Sequence, residues 1–74
     1  FNVQVNAVSP GFVDTELTRK ILGRKEIKSL TERIPQGRLA KPEEIANVVL
    51  FLCSDLNTYI TGENIVVDGG FTSA

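Results

Sequence analysis

The segment from Asn6 to Thr15 constrains the fold of this chain most, because an alternating strand pattern passes there into Pro-Gly and then into a helix-opening threonine. The apolar residues that alternate with polar ones before the turn are Val3, Val5 and Ala7. A period of two is expected of a strand with one face against a core. Pro10 lacks a backbone donor and Gly11 permits close backbone approach, so we predict that the strand ends there.

The residues just beyond the predicted strand are typical of a ligand-binding loop. Val13, Asp14 and Thr15 offer backbone groups and a hydroxyl immediately after the turn. Open α/β sheets bind their ligands outside the carboxyl ends of the strands. The loop is therefore the first candidate for a binding site.

A second strand is predicted between two turns near the end of the chain. A Thr-Gly turn precedes the β-branched residues 65–67, which lead into Asp68-Gly69-Gly70. A short apolar run bounded by turns is typical of a buried strand. We expect Asp68 to cap backbone donors of the turn, which is a common role for aspartate in turns, and a catalytic carboxylate is the less favoured interpretation.

Two short helical patterns lie between these strands. In the first, Leu17 and Ile21 recur at i and i+4 before Gly23 interrupts the pattern. Pro35 and Gly37 end the second pattern. Its apolar residues are Ile27, Leu30 and Ile34. Both apolar stripes are narrow, so a mobile lid and an ordinary surface hairpin fit the pattern equally well.

Four cations lie close together around the first of these helices. They are Arg19, Lys20, Arg24 and Lys25. Such a cluster suits an acidic carrier protein or a phosphorylated substrate. A solvated helix face is the favoured interpretation, because surface lysine and arginine need no partner.

A third helix is predicted to begin at Pro42, which is favoured in the first turn, with Glu43 and Glu44 at the positive end of the helix dipole. Apolar residues then occupy all its faces: Ile45, Val48, Val49, Leu50, Phe51, Leu52 and Cys53. A helix that is apolar all round is buried on more than one side. We expect one face on a sheet and another against a second subunit, with the rest of the same chain as the alternative cover.

Composition is that of an ordinary α/β protein, with 42% hydrophobic residues and a formal net charge of −1. Nothing in this balance points to nucleic acid. One cysteine and no histidine exclude an internal disulfide and argue against a transition-metal site, and Cys53 is expected to be a small buried core residue. The sequence contains no signal peptide and no membrane-spanning run, so we expect a cytoplasmic protein without a membrane partner.

The ordered motifs VNAVSPGFVDT, GRLAKPEEIANVVLFLCSD and YITGENIVVDGG resemble the C-terminal third of a short-chain dehydrogenase/reductase. The resemblance covers essentially all 74 residues and is closest to 3-oxoacyl-[acyl-carrier-protein] reductases and related sugar or alcohol dehydrogenases. It implies an α/β fold class, the C-terminal part of a Rossmann-type doubly wound parallel sheet. The implied order is strand, lid helices, long helix and last strand. Ala40-Lys41 and Asn57-Thr58 depart from the usual family residues and leave the subfamily open.

The resemblance also implies a role for the loop after the first strand, which in this family holds the nicotinamide carboxamide of NADP or NAD. Pro10 and Gly11 would shape the turn against the ring. Val13 would bond the carboxamide through its backbone N–H and C=O, and Thr15 would add its hydroxyl. A plain helix N-cap is the structural alternative for Thr15, and we expect it to serve both roles.

By resemblance, the catalytic residues of the family are a serine with a Tyr-x-x-x-Lys helix, and no residue of this sequence matches them. Tyr59 is the only tyrosine, and Glu63 stands four residues later. We therefore expect residues 1–74 to be a C-terminal fragment of one NAD(P)-binding domain, inactive alone and without a catalytic or metal residue. Its parent would reduce or oxidise a small-molecule or acyl-carrier-protein-bound substrate, with 3-oxoacyl thioesters as the first choice.

The implied partners are the remainder of the same polypeptide and further copies of it. Relatives commonly form tetramers through the helix that runs here from Glu43 to Ser54 and through the last strand, so a homotetramer is expected. A non-catalytic α/β interaction module that keeps this helix and strand is the alternative. Parallel strands need partners on both sides, which argues against the module.

Overall fold

The computed structural model describes residues 3–73, which form two strands, three helices and a terminal 3₁₀ turn. In chain order they are β1 (Ala7–Pro10), α1 (Glu16–Ile21), α2 (Arg24–Glu32), α3 (Pro42–Cys53), β2 (Asn64–Val67) and the 3₁₀ turn Phe71–Ser73. All three helices lie in the connection between the strands. The predicted order of strand, two short helices, longer helix and last strand is confirmed.

The two strands pair in parallel, with Ala7 opposite Asn64 and Pro10 opposite Val67. A parallel pair needs a long crossover, which the helices provide here. Just past the strands, the Gly11 N–H donates to the Val67 carbonyl at 2.9 Å. The carboxyl ends of β1 and β2 therefore meet at one edge of the sheet, which we call the carboxyl edge.

The first strand lies further along the chain than the alternating pattern predicted. Val3 and Val5 precede β1, and both are exposed within this chain. The Val5 N–H donates to the Thr61 hydroxyl at 3.0 Å, and the Val5 carbonyl accepts from the Gly62 N–H at 2.7 Å. The alternation was wrong about the strand's bounds, because Val5 and Asn6 bond to the turn at residues 60–63 rather than to a regular ladder.

The second strand is only half covered, so the prediction of a buried strand was wrong in part. Ile65 and Val67 are half-buried, whereas Val66, on the opposite face, is 50% exposed. Successive side chains of a strand point to opposite faces. One face of the sheet is therefore sheltered within this chain and the other is open.

The two short helices form where the sequence predicts them, but the second ends early. Thr15 caps α1, since its Oγ1 accepts from the Thr18 N–H at 3.1 Å. The helix α2 ends at Glu32, so Ile34 lies beyond it and not within it as predicted. Ile34 is nevertheless 4% exposed, because the chain after α2 folds back onto the turn before the 3₁₀ segment, where the Gln36 N–H donates to the Gly69 carbonyl at 3.1 Å.

Local hydrogen bonds fix both ends of α3. Pro42 begins the helix as predicted, and the Glu44 carboxylate accepts from the Lys41 N–H at 2.8 Å. The same carboxylate receives two bonds from Arg38, at 2.6 and 2.9 Å. After the helix, the buried Asn57 donates to the Leu52 carbonyl at 3.1 Å and to the Ile60 carbonyl at 3.0 Å.

The outer surface of α3 is apolar and exposed. It carries Val49, Leu50, Phe51 and Cys53. The expectation that Cys53 is a buried core residue was wrong within this chain, because nothing among residues 3–73 packs over that side of the helix.

Little of this chain is buried. Among residues 3–73, the buried hydrophobic residues are Ile34 and Leu39. The radius of gyration is 14.6 Å, whereas a compact domain of this length has about 11 Å. No helix in the described part of the chain is long and apolar enough to cross a bilayer.

Candidate functional site

The candidate site is built on the carboxyl edge, where Gly11 lies against the end of β2. A Cβ at Gly11 would be 2.6 Å from the Cβ of Asp68 and 2.9 Å from its Cα. Both Asp68 atoms are held by the backbone, so they cannot move aside as the tip of a long side chain would. Only glycine allows β1 to leave the sheet this close to Asp68.

Beyond Gly11, an isolated parallel bridge between Val13 and Ala40 holds the loop. The Ala40 N–H donates to the Phe12 carbonyl at 2.9 Å, and the Asp14 N–H donates to the Ala40 carbonyl at 2.8 Å. Because backbone groups alternate in direction along an extended chain, the N–H and C=O of Val13 face away from Ala40. The residue thus presents a donor and an acceptor on the free side of the loop.

Thr18, in the first turn of α1, connects the two binding residues predicted in this loop. Its hydroxyl donates to the Val13 carbonyl at 2.8 Å and lies 3.0 Å from the Thr15 hydroxyl. No hydrogen bond from the Val13 N–H is found among residues 3–73. Val13, Thr15 and Thr18 therefore form one hydrogen-bonded group beside the carboxyl edge.

The same loop is tied to α1 by an ion pair. The Arg19 guanidinium donates to both carboxylate oxygens of Asp14, at 2.7 and 2.9 Å. Hydrogen bonding by Arg19 is the largest cause that lowers the pKa of Asp14, and the same bond raises the pKa of Arg19. Arg19 therefore has an internal partner, although it is exposed to solvent like Lys20, Arg24 and Lys25.

An aromatic contact joins the loop to the end of the chain. The rings of Phe12 and Phe71 meet edge to face, with centroids 5.2 Å apart and an interplanar angle of 84°. The Arg33 guanidinium lies 5.3 Å from the centroid of the Phe71 ring. Edge-to-face pairs and cations over rings are both attractive arrangements. The loop, the end of α2 and the 3₁₀ turn are thereby held together.

Asp68 caps the turn after β2, as predicted. Its Oδ1 accepts from the Gly70 N–H at 2.9 Å, and its Oδ2 accepts from the N–H and the hydroxyl of Thr72, at 3.0 and 2.8 Å. These bonds, the one from the Thr72 N–H first, lower the pKa of Asp68. Gly69 and Gly70 take φ values of 65° and 94°, which the turn requires and glycine supplies.

In addition to a hollow between the end of β2 and Arg38, Phe12 lines two hollows beside the loop. One, of about 320 Å³, is lined by Pro10 and Gly11 among others. The other, of about 430 Å³, lies between Phe12 and residues 22–33, and Lys25 and Arg33 are on its wall. Of the four predicted binding residues, Pro10 and Gly11 line the first hollow, whereas Val13 and Thr15 line neither of the two.

Sequence reasoning identified the loop but missed three of the residues that shape it. Thr18 was detectable in principle, since it lies one helical turn after the cap Thr15. The pairing of Phe12 with Phe71 carried no local signal, because the two residues are brought together only when β1 and β2 pair.

Comparison with known proteins gives the same picture. A model of the family described as Enoyl-(Acyl carrier protein) reductase matches residues 1–72. The 3-oxoacyl-[acyl-carrier-protein] reductase FabG of Aquifex aeolicus (strain VF5) is 56% identical over 69 residues, covering 93% of this chain and 27% of that protein. An NAD-dependent glycerol dehydrogenase of Listeria innocua is 44% identical over 72 residues, covering 97% of this chain and 28% of that protein.

Solved structures extend the likeness to the fold. A short chain dehydrogenase family protein of Francisella tularensis superimposes with a TM-score of 0.89 at 36% identity, covering 99% of this chain and 34% of that one. The chain thus spans about a third or less of the length of these relatives, and the predicted α/β class of Rossmann-type fold is confirmed. Sequence, fold and family model agree that this chain belongs to the short-chain dehydrogenase/reductase family.

Proposed function

We propose that this chain is the C-terminal part of an NAD(P)-dependent oxidoreductase that transfers hydride between a nicotinamide cofactor and a carbonyl or alcohol substrate. The observation that carries the proposal is the loop at the carboxyl edge, where Val13 turns its backbone donor and acceptor to the free side. Ligands of parallel α/β sheets bind at this edge. Family membership supplies the activity class.

The residues of the loop fit a carboxamide group. A primary amide carries an acceptor oxygen and two N–H donors, so it needs both kinds of partner. The Val13 N–H suits the amide oxygen, while the Val13 carbonyl and the Thr15 hydroxyl suit the amide nitrogen. Gly11 fixes the start of this loop, because only glycine lets the chain pass so close to Asp68.

When bound, the nicotinamide supplies or accepts the hydride, and the role of this chain is to orient it. Two hydrogen bonds on opposite sides of an amide fix the plane of the attached ring and therefore the ring face that is offered to the substrate. We propose no proton-transfer role for any residue in this sequence. That step is assigned, by family likeness, to a Ser-Tyr-Lys set elsewhere in the complete polypeptide.

The helices α1 and α2 are proposed to cover the substrate. They are joined at Gly23, and the outward residues Leu17 and Ile21 of α1 are exposed within this chain. Short helices with so little buried area can move together when a ligand binds. The preferred substrate is a 3-oxoacyl thioester, as the name of the Aquifex relative suggests. The Listeria relative keeps NAD open beside NADP.

The exposed outer surface of α3 supports the proposal of a larger assembly. Within a homotetramer, the segment from Glu43 to Ser54 and β2 would pack against a second copy, while the remainder of the polypeptide covers the open faces of the sheet. We propose a cytoplasmic location for such an enzyme. A non-catalytic interaction module remains the alternative, and would require that residues 1–74 alone give a soluble, monodisperse protein.

The direct test is oxidation of NADPH and of NADH by the complete polypeptide that carries this sequence. The substrates to compare are 3-oxoacyl thioesters, small ketones and sugars. Each reaction is monitored by the loss of absorbance of the reduced cofactor. We expect turnover with 3-oxoacyl thioesters. Turnover with a ketone or sugar alone would replace the substrate but keep the class, whereas no turnover with any of them would contradict the enzyme proposal.

Replacement of Thr15 tests the binding role of the loop. Thr15→Ala removes a helix cap, which costs about 1 kcal/mol of stability, and also removes one partner of the carboxamide. We expect the cofactor Kd of the complete protein to rise about tenfold, as loss of one hydrogen bond predicts. Thr15→Ser, which keeps the hydroxyl, is the control. An unchanged cofactor Kd in Thr15→Ala would leave Thr15 with the capping role alone.

A further inference from the structure

Thr18 bonds to both of the residues that are proposed to hold the carboxamide. Its hydroxyl donates to the Val13 carbonyl at 2.8 Å, and its N–H donates to the Thr15 Oγ1 at 3.1 Å. The two hydroxyls are also 3.0 Å apart, within hydrogen-bond distance. Thr18 is half-buried, and its bond to the Val13 carbonyl is partly sheltered from competing water, whereas its contacts with Thr15 are exposed.

The number of hydroxyl hydrogens decides which threonine donates in the contact between the Thr15 and Thr18 hydroxyls. A threonine hydroxyl has one hydrogen to donate and two lone pairs. Thr18 uses its hydrogen on Val13, so the hydrogen between the hydroxyls must come from Thr15. Thr15 has then donated its only hydrogen and accepted the Thr18 N–H, and one lone pair remains free. The Val13 carbonyl likewise keeps one lone pair.

We propose that Thr18 is a positioning residue that sets the hydrogen-bonding polarity of the cofactor loop. It leaves the Val13 carbonyl and the Thr15 hydroxyl as acceptors, and the Val13 N–H as the single donor. This pattern matches a primary amide, with two N–H groups and one oxygen, in one of its two planar orientations. The inference rests on the proposed function, because it specifies how the same loop selects its ligand.

Loss of the Thr18 hydroxyl would remove the preference of the loop for an amide group. In Thr18→Val, the side chain keeps its shape and the backbone N–H still caps through Thr15. The Thr15 hydrogen has no fixed acceptor, so that hydroxyl can donate as well as accept. A ligand group with only an acceptor oxygen can then bond to Thr15, which the wild-type loop prevents.

The test compares two ligands with the complete polypeptide that carries this sequence. One is the natural dinucleotide, NAD or NADP, and the other is its 3-acetylpyridine analogue, in which a methyl group replaces the amide nitrogen. The measured quantity is the ratio of the analogue Kd to the cofactor Kd, by calorimetric titration. In Thr18→Val we expect this ratio to fall about threefold to tenfold, the value of one hydrogen bond. Thr18→Ser should restore it.

A purely structural role of Thr18 would weaken both ligands equally and leave the ratio unchanged, which would overturn the inference. If Thr18→Val does not fold, Thr18→Ala is measured in its place with the same expectation. Failure of the wild-type protein to bind either dinucleotide would overturn the proposed function itself. Binding that is sensitive to Thr15→Ala, with an unchanged ratio in the Thr18 variants, would overturn only the role of Thr18.

Discussion

The side chains of the carboxyl edge have their partners within this chain, whereas the apolar side chains on the outer surface of α3 do not. At the carboxyl edge, Thr15, Thr18 and Asp68 find hydrogen-bond partners within a few residues of themselves. On α3, Leu50 and Phe51 are exposed, because no other segment of the described chain packs over them. The hydrogen bonds of these side chains at the carboxyl edge thus depend on residues nearby in the sequence. Residues 3–73 supply no apolar cover for this surface of α3.

The largest effect is expected from Gly11→Ala, which attacks the carboxyl edge at its tightest point. The new Cβ would lie 2.6 Å from the Cβ of Asp68, and both atoms are fixed by the backbone. Forced overpacking costs about 1–3 kcal/mol, so we expect a lower free energy of unfolding in urea and weaker cofactor binding. Gly23→Ala is the control, because its Cβ would meet only the mobile carboxylate of Glu26. Equal loss in both variants would contradict the account of Gly11.

A second large effect is expected from Leu50→Asp on the outer surface of α3. Full burial of a leucine contributes about 1.5–3 kcal/mol, and a charge there removes that gain from every subunit contact. We expect the proposed assembly to dissociate in sedimentation velocity of the complete polypeptide. Leu17→Asp is a matched control, since Leu17 is 65% exposed and Leu50 66% exposed in this chain. An assembly that survives Leu50→Asp would show that α3 is covered by its own polypeptide.

The smallest effect concerns the ion pair between Arg38 and Glu44 at the start of α3. There, as at the carboxyl edge, the hydrogen-bond partners lie within a few residues of each other. Bonds from Arg38, and then from the Lys41 N–H, lower the pKa of Glu44 to about 2. An acid whose pKa is lowered on folding stabilises the fold above its unfolded pKa of about 4.3, and this contribution is lost as the pH falls towards 2. The urea midpoint should therefore decline between pH 4.5 and 2.

Glu44→Gln should flatten that decline, because the amide cannot titrate. Glu43→Gln, in the same helical turn, is the control for the loss of one surface carboxylate. Asp14 and Asp68 also have lowered pKa values and keep part of the pH dependence in both variants. If the two glutamine variants share one pH profile, the bond between Arg38 and Glu44 contributes nothing measurable, as many exposed ion pairs do.

The sequence predicted the elements that depend on neighbouring residues. Thr15 opens α1, Pro42 opens α3 and Asp68 caps its turn, because each acts on backbone groups at most four residues away. The predictions that failed concern burial and the bounds of β1 and α2. Cys53 and Val66 are exposed, since their cover depends on segments that periodicity cannot locate.

The amino-acid order by itself determined the turns, the helix starts and the family pattern, because those features arise from backbone chemistry over a few residues. Only the tertiary structure decided that Phe12 meets Phe71 and that Gly11 lies against Asp68. Both contacts exist because β1 and β2, far apart in the chain, pair in parallel and bring their carboxyl ends to one edge. Contacts between distant segments depend on that pairing, which no local pattern encodes.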